Sequence, residues 1–361
     1  MSEISNERRA RLNRLHLSGR ESKVFDPRDR LTDSDGGELC DASIAKRNEQ
    51  WWMYLAGQAH GSGATEIYRA CLPEGEPLAP SRWKVIRNSD GDPEPIAGRS
   101  LSVRWDGKGG RHCPSYVRGW DPGKNVWVER IYYAGAAENI WGPYTIGYLE
   151  WNGEFWRDQD EPVFVAGEEW EHGSVYEPNV IYHGGKWKIW YVAGSNHENY
   201  LVHGYSESEN GCTDWSKHKV FAPPEMKMFD FCVCKRGETF DAVFTRLWMG
   251  AGTPPSETGL WWCRSAAPSG SLSDWSQPIQ IMTAEDHGWH SGPWKPSLQF
   301  EGPVSERAFV FFNGSYRTAD PGPFPFVFTL GCLEIDPHAD AVSDVRSSIR
   351  GSEPELIHVK E

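Results

Sequence analysis

A chain of 361 residues with 39% hydrophobic and 24% charged residues is globular rather than disordered, and its 19 Trp, 13 Tyr and 15 Phe supply large apolar surfaces for a core. A formal net charge of −14 argues against nucleic acid or another polyanion as partner, because such affinity comes from Lys and Arg neutralising phosphates; neutral or small substrates suit it better. No run of about 18 apolar residues occurs, and Met1 to His16 carry no apolar signal core, so neither a membrane span nor a signal peptide is expected.

Residues 1–20 read as a polar N-terminal extension and residues 21–361 as one domain, since no interdomain linker interrupts them. Along that domain one hairpin pattern recurs five times: a residue often followed by Pro, an apolar strand, a polar turn, then an aromatic strand ending in a small residue. The first copy is Cys40-Asp-Ala-Ser-Ile-Ala-Lys46 with Trp51-Trp-Met-Tyr-Leu-Ala-Gly57, and the second is His112-Cys-Pro-Ser-Tyr-Val117 with Arg130-Ile-Tyr-Tyr-Ala-Gly135. The third joins Tyr176-Glu-Pro-Asn-Val-Ile-Tyr182 to Trp187-Lys-Ile-Trp-Tyr-Val-Ala-Gly194 through His183-Gly-Gly-Lys186, whose paired glycines mark a tight hairpin turn. Phe229-Asp-Phe-Cys-Val-Cys234 with Phe240 to Thr245 gives the fourth, and Trp294-Lys-Pro-Ser-Leu-Gln-Phe300 with Ala308 to Gly314 the fifth.

A Trp opening a further strand follows about 40 residues after four of the equivalent positions, at Trp83, Trp156, Trp215 and Trp275. The fifth hairpin lacks one, but Glu21-Ser-Lys-Val-Phe-Asp-Pro27 matches the fourth-strand segment Lys217-His-Lys-Val-Phe-Ala-Pro223. The expected architecture is therefore all-β: a five-bladed β-propeller closed by an N-terminal strand that completes the last blade and removes the open edges. The eight cysteines lie scattered in strand-like runs with no CxxC pair, which reads as buried reduced thiols and, with the missing signal, as a cytoplasmic protein.

In a propeller the first strand of every blade lines the central channel, so the equivalent residues Asp41, Cys113, Glu177, Asp230 and Lys295 should meet there. A single acidic residue at a strand end is ordinarily solvated. Three at one repeated position are a pattern, because crowded, dehydrated carboxylates hold their protons differently and can divide acid and base roles between them. Glycosidic bond cleavage needs such a division. The second strand of each hairpin returns toward the pocket, so its exit should offer substrate contacts: Gln58 and His60, Glu138, Ser195 to His197, Arg246 to Trp248, and Asn313 to Tyr316. Trp248 and Trp294 are candidates for stacking on a sugar face, Arg118 and Arg246 for clamping a substrate oxygen, and Lys295 for neutralising a carboxylate or binding an acidic substrate group.

The run Glu177-Pro-Asn-Val-Ile-Tyr182, the strand Gly185-Lys-Trp-Lys-Ile-Trp-Tyr-Val-Ala-Gly194 and His203-Gly-Tyr-Ser-Glu-Ser-Glu-Asn-Gly211 followed by Trp215 resemble a blade of the five-bladed glycoside hydrolases of family 43 and its relatives in families 32, 68 and 130. The resemblance implies an Asp general base, a pKa-tuning Asp and a Glu general acid; Asp41, Glu177 and Asp230 stand in those places, the last two with the carboxylates exchanged. By analogy with families 32 and 68, Asp41 would instead be a nucleophile and Glu177 the acid. Trp289-His-Ser-Gly-Pro-Trp294 resembles the last-blade segment that carries a channel histidine associated with calcium, which makes His290 the matching residue, although no cofactor or protein metal ligand is otherwise expected. Cys113 and Lys295 depart from the family's catalytic sets. Two other readings stay open: a lyase, cyclase or isomerase acting on a small metabolite in the same pocket, and a carbohydrate-binding propeller without catalysis.

Overall fold

The computed structural model describes residues 20–23, 39–58, 65–97, 104–138, 142–195, 200–246, 257–283, 291–305, 307–317 and 326–335. They form strands that fall into five antiparallel units of four. The first holds β2 (Leu39–Arg47), β3 (Gln50–Gln58), β4 (Thr65–Cys71) and β5 (Lys84–Val85); the second holds β6 (Gly110–Asp121), β7 (Val126–Ala136), β8 (Tyr144–Trp151) and β9 (Trp156–Asp158). The third comprises β10 (Val175–His183), β11 (Lys186–Ser195), β12 (Tyr200–Ser208) and β13 (Lys219–Ala222), and the fourth β14 (Met228–Arg236), β15 (Thr239–Arg246), β16 (Gly259–Ser265) and β17 (Ile279–Thr283). The fifth takes β18 (Ser291–Phe300), β19 (Ala308–Arg317) and β20 (Phe326–Ile335), and β1 (Arg20–Lys23) pairs along β20 from Glu334 to Gly331. The N-terminal strand thus completes the last sheet, as the Glu21 segment predicts.

Local chemistry explains these elements. The turn at Gly184 and Gly185 has φ of 62° and 79°, the left-handed pair that a two-residue hairpin with right-twisted strands requires. Gly110, at φ 93°, carries the single parallel bridge to Thr65 that joins the first two units, and a Cβ there would stand 2.5 Å from the Thr65 backbone.

Apolar packing closes the ring. One cluster joins the first and second units through Tyr54, Ile67, Tyr133 and Trp156, and the next joins the second and third through Tyr132, Val180 and Trp187. Trp190 and Phe231 link the third to the fourth, Trp262 and Phe300 the fourth to the fifth, and Trp83 and Phe311 the fifth back to the first. The fold is therefore a closed β-propeller, in which Trp83, Trp156 and Trp275 are buried wedges between sheets. All eight cysteines are unpaired thiols.

A second belt, of hydrogen bonds, runs around the channel. The side chain two residues beyond each channel position accepts the N–H three residues beyond the next: Tyr116 N–H donates to Ser43 Oγ at 2.9 Å, Val180 N–H to Ser115 Oγ at 3.0 Å, Val233 N–H to Asn179 Oδ1 at 3.0 Å and Leu298 N–H to Cys232 Sγ at 3.4 Å. Gln299 Nε2 donates to the Ile44 carbonyl at 3.0 Å and completes the circuit.

His203 on β12 is a polar residue inside this core, 1% exposed between Phe221 and Phe231, and neither ring nitrogen has a hydrogen-bond partner among the described residues. Burial, helped by the nearby Lys295 charge, lowers its pKa from 6.5 to about 3. The unfolded chain takes up this proton at a higher pH than the folded one, so stability falls as the pH drops from 6.5 toward about 3, by up to about 1.4 kcal/mol per pH unit. Urea unfolding of His203→Leu across that range should lack this component and differ from wild type by a constant amount above pH 7. Parallel curves throughout would show that His203 does not couple folding to pH.

Candidate active site

Each inner strand breaks register at the same place. The shifts fall between Cys40 and Ser43, His112 and Ser115, Tyr176 and Asn179, Met228 and Phe231, and Trp294 and Ser297. Such bulges kink a strand and re-aim a side chain. At four of them the channel residue is left-handed, with φ of 54° at Asp41, 56° at Cys113, 52° at Glu177 and 49° at Lys295. A non-glycine residue in that region costs about 1–3 kcal/mol, so the surrounding contacts must hold each one in place.

Those contacts bring the five positions together. The Asp41 N–H donates to Asn313 Oδ1 at 2.8 Å, Asn313 Nδ2 donates back to Asp41 Oδ1 at 2.5 Å, and the Cys113 thiol donates to Asp41 Oδ2 at 3.4 Å. Lys295 spans two units: its backbone N–H donates to Asp230 Oδ2 at 2.7 Å, while its Nζ lies 2.7 Å from Glu177 Oε2, a charge contact without hydrogen-bond alignment. All five side chains are buried, Asp230 to 2% exposure, and Asp230 Oδ1 has no hydrogen-bond partner among the described residues.

Burial dominates the electrostatics. Loss of water, then the Glu177 charge, raises the Asp41 pKa above the usual carboxylate range, partly opposed by Lys295 and Asn313. The same two causes push Asp230 well above that range. Burial alone would lower the Lys295 pKa, but Glu177, Cys113, Asp230 and Asp41 outweigh it and hold the ammonium above its usual pKa. Burial and Asp41 raise the Cys113 thiol, which therefore serves as a hydrogen-bond donor rather than a thiolate. Tyr144 and Tyr176, their ring centroids 5.2 Å apart, pack beside the carboxylates and are likewise pushed upward by burial.

Beyond the ring, in the direction of the strands, lies a cavity of about 290 Å³ lined by Glu177, Asp230, Lys295 and the residues that follow them. Trp294 precedes Lys295 and pairs with Asn313 across the β18–β19 ladder. Arg246 ends β15 opposite Met228, and its guanidinium stacks on Trp261 at 4.4 Å. Arg118 is set apart from the ring, because it stands five residues along β6 from Cys113, exposed, with its guanidinium 5.4 Å from the Trp127 ring centre. His197, Trp248 and His290 lie outside the described residues, and with them the calcium expectation; among the described residues no group of three or more His, Cys, Asp or Glu is placed to hold a metal ion. Asn313, expected at its strand exit as a substrate contact, instead holds Asp41 by its backbone and its carboxylate. Its signal is a break in pattern, since Ala56, Ala134, Val192 and Thr245 occupy the corresponding strand positions and only here is the residue an amide.

The ring and its closed sheets define a β-propeller of the architecture used by glycoside hydrolases. Neither a family model nor a curated protein matches the chain. Among solved structures, a complex of BT0996 with RGII aligns with a TM-score of 0.62 at 12% identity over 95% of this chain and 98% of the other. Zg3597, a family 117 glycoside hydrolase of the marine bacterium Zobellia galactanivorans, gives 0.59 at 13% identity over 91% and 93%. The α-L-arabinofuranosidase PaAbf62A of Podospora anserina, in complex with cellotriose, gives 0.55 at 12% identity over 87% and 95%. At these identities the likeness is one of fold.

Folding keeps a proton on Asp230 that the unfolded chain releases near the ordinary aspartate range, so this residue's contribution is fully present below about pH 4 and is lost as the pH rises above it. Asp230→Asn retains an acceptor for the Lys295 N–H and cannot ionise. Its melting temperature should exceed that of wild type at pH 7 and converge with it near pH 3; a variant less stable at pH 7 would contradict the assignment.

Proposed function

We propose that the protein is a glycoside hydrolase that cleaves a small glycoside or oligosaccharide in the central channel. The observation that carries the reading is three carboxyl groups delivered by one repeated bulge into a buried ring, one of them, Asp230, driven to hold its proton. A buried proton donor beside a second carboxylate is what departure of an alkoxide from a sugar requires. The propeller fold shared with PaAbf62A and Zg3597 supports the same reading.

In this mechanism Asp230 donates to the glycosidic oxygen through its unpartnered Oδ1. Asp41 is oriented from both sides by Asn313 and by the Cys113 thiol, and acts on the other face of the sugar as base or nucleophile. Glu177 is engaged by the Lys295 ammonium and supplies the negative charge that keeps Asp230 protonated. Glu177 thus tunes the acid, and the exchanged carboxylates follow from where Lys295 sits. The perturbed acids favour chemistry over simple carbohydrate binding, for which hydrogen bonding by ordinary carboxylates would suffice.

The test is hydrolysis of a chromogenic furanoside and pyranoside panel by wild type, Asp41→Asn, Glu177→Gln and Asp230→Asn. Activity on at least one substrate should fall about 10²–10⁴-fold in Asp41→Asn and Asp230→Asn with folding retained. Glu177→Gln should move the pH profile of the remaining activity to lower pH, since Asp230 loses the neighbouring charge. A folded wild type inert on the whole panel would overturn the proposal.

A further inference from the structure

The channel has a second mouth, and its chemistry is opposite to that of the ring. Five residues beyond the ring positions on four successive inner strands stand Lys46, Arg118, Tyr182 and Lys235, and all four line the cavity. At about 3.3 Å per residue this places them about 15 Å from the carboxylates. The belt of side chains between the two ends is uncharged: Ser43, Ser115, Asn179 and Cys232, each already occupied by a neighbour's N–H. Three cations around one opening stand out on a chain of net charge −14.

Two of these cations are unspent. Lys46 pairs with Glu49 at 2.6 Å, whereas Arg118 and Lys235 make no ion pair among the described residues. Beside them, Trp127 leaves 53% of its surface exposed, far more than packing between sheets would leave, with the Arg118 guanidinium near one face and Tyr182 edge-on at 5.6 Å. A half-exposed indole suits the C–H surface of a sugar, and a guanidinium and ammonium without ion-pair partners suit a doubly charged phosphate.

We propose that this mouth is a second binding site, independent of the carboxylate ring, that holds a phosphate-bearing sugar with its phosphate between Arg118 and Lys235 and its ring against Trp127. An anion is favoured at this end of the cavity, about 15 Å along the inner strands from the carboxylates.

Titration of the full-length chain with glucose 6-phosphate, inorganic phosphate and glucose, followed by calorimetry and tryptophan fluorescence at low ionic strength, tests it. Saturable binding of glucose 6-phosphate is expected, about tenfold weaker binding of inorganic phosphate, and none of glucose. The double variant Arg118→Gln/Lys235→Gln should weaken both anions by at least about tenfold, and Trp127→Ala should erase the advantage of the sugar phosphate. Asp41→Asn should bind as wild type does, whatever the outcome of the glycoside panel. Absence of saturable binding by either anion, or binding unchanged in the folded double variant, would overturn the proposal.

Discussion

Everything at the centre of this molecule depends on one backbone irregularity repeated around a ring. A regular strand would turn alternate side chains away from its neighbours, whereas a bulge at the same place in every inner strand turns one residue per sheet toward a common point. At Asp41, Cys113, Glu177 and Lys295 it does so through a left-handed backbone that non-glycine residues adopt at a cost of about 1–3 kcal/mol. The restoring contacts are close by: the Asn313 amide holds Asp41 by its backbone and its carboxylate, and the belt of Ser43, Ser115, Asn179 and Cys232 locks each strand to the next immediately after the bulge. The aromatic clusters between sheets then prevent the ring from opening to relieve the strain.

The same geometry sets the chemistry. Side chains drawn into one dehydrated point repel when alike and attract when opposite, and here three carboxyl groups share one ammonium. Lys295 sets its ammonium against Glu177 and its backbone N–H against Asp230, so the two acids are inequivalent although they come from equivalent positions. In the proposed mechanism that asymmetry separates the acid from its tuning partner. Its thermodynamic counterpart is instability, since a buried carboxyl held protonated works against folding at neutral pH.

Much of this is legible in the sequence because it is written in local chemistry. Alternating aromatic strands, the Gly184-Gly185 turn and the recurring tryptophans specify hairpins and wedges over short spans, and their repetition yields the ring and its five positions. The N-terminal strand is legible for the same reason, as a copy of the segment near Val220. Contacts between distant strands are not. Asn313 reaches Asp41 across 272 residues, and its role depends on the closure itself. Arg118 reads as a substrate clamp because it lies on an inner strand, but a strand has two ends, and the bulge count places it at the far one. Nor does a pattern reveal that Lys295 divides its two donors between two acids, which only coordinates supply.

The division of roles in the ring depends on the Asp230 carboxyl keeping its proton well above the ordinary aspartate range. Carbon-13 NMR of the side-chain carboxyls, with Asp230→Asn used to assign the resonance, measures this directly in the free protein. The expected spectrum contains an aspartate carboxyl that stays protonated well above the ordinary range near 3.9 and whose signal is missing in Asp230→Asn. If every aspartate titrates near 3.9, the ring holds ordinary ionised carboxylates, and the division into acid and base proposed for it is wrong.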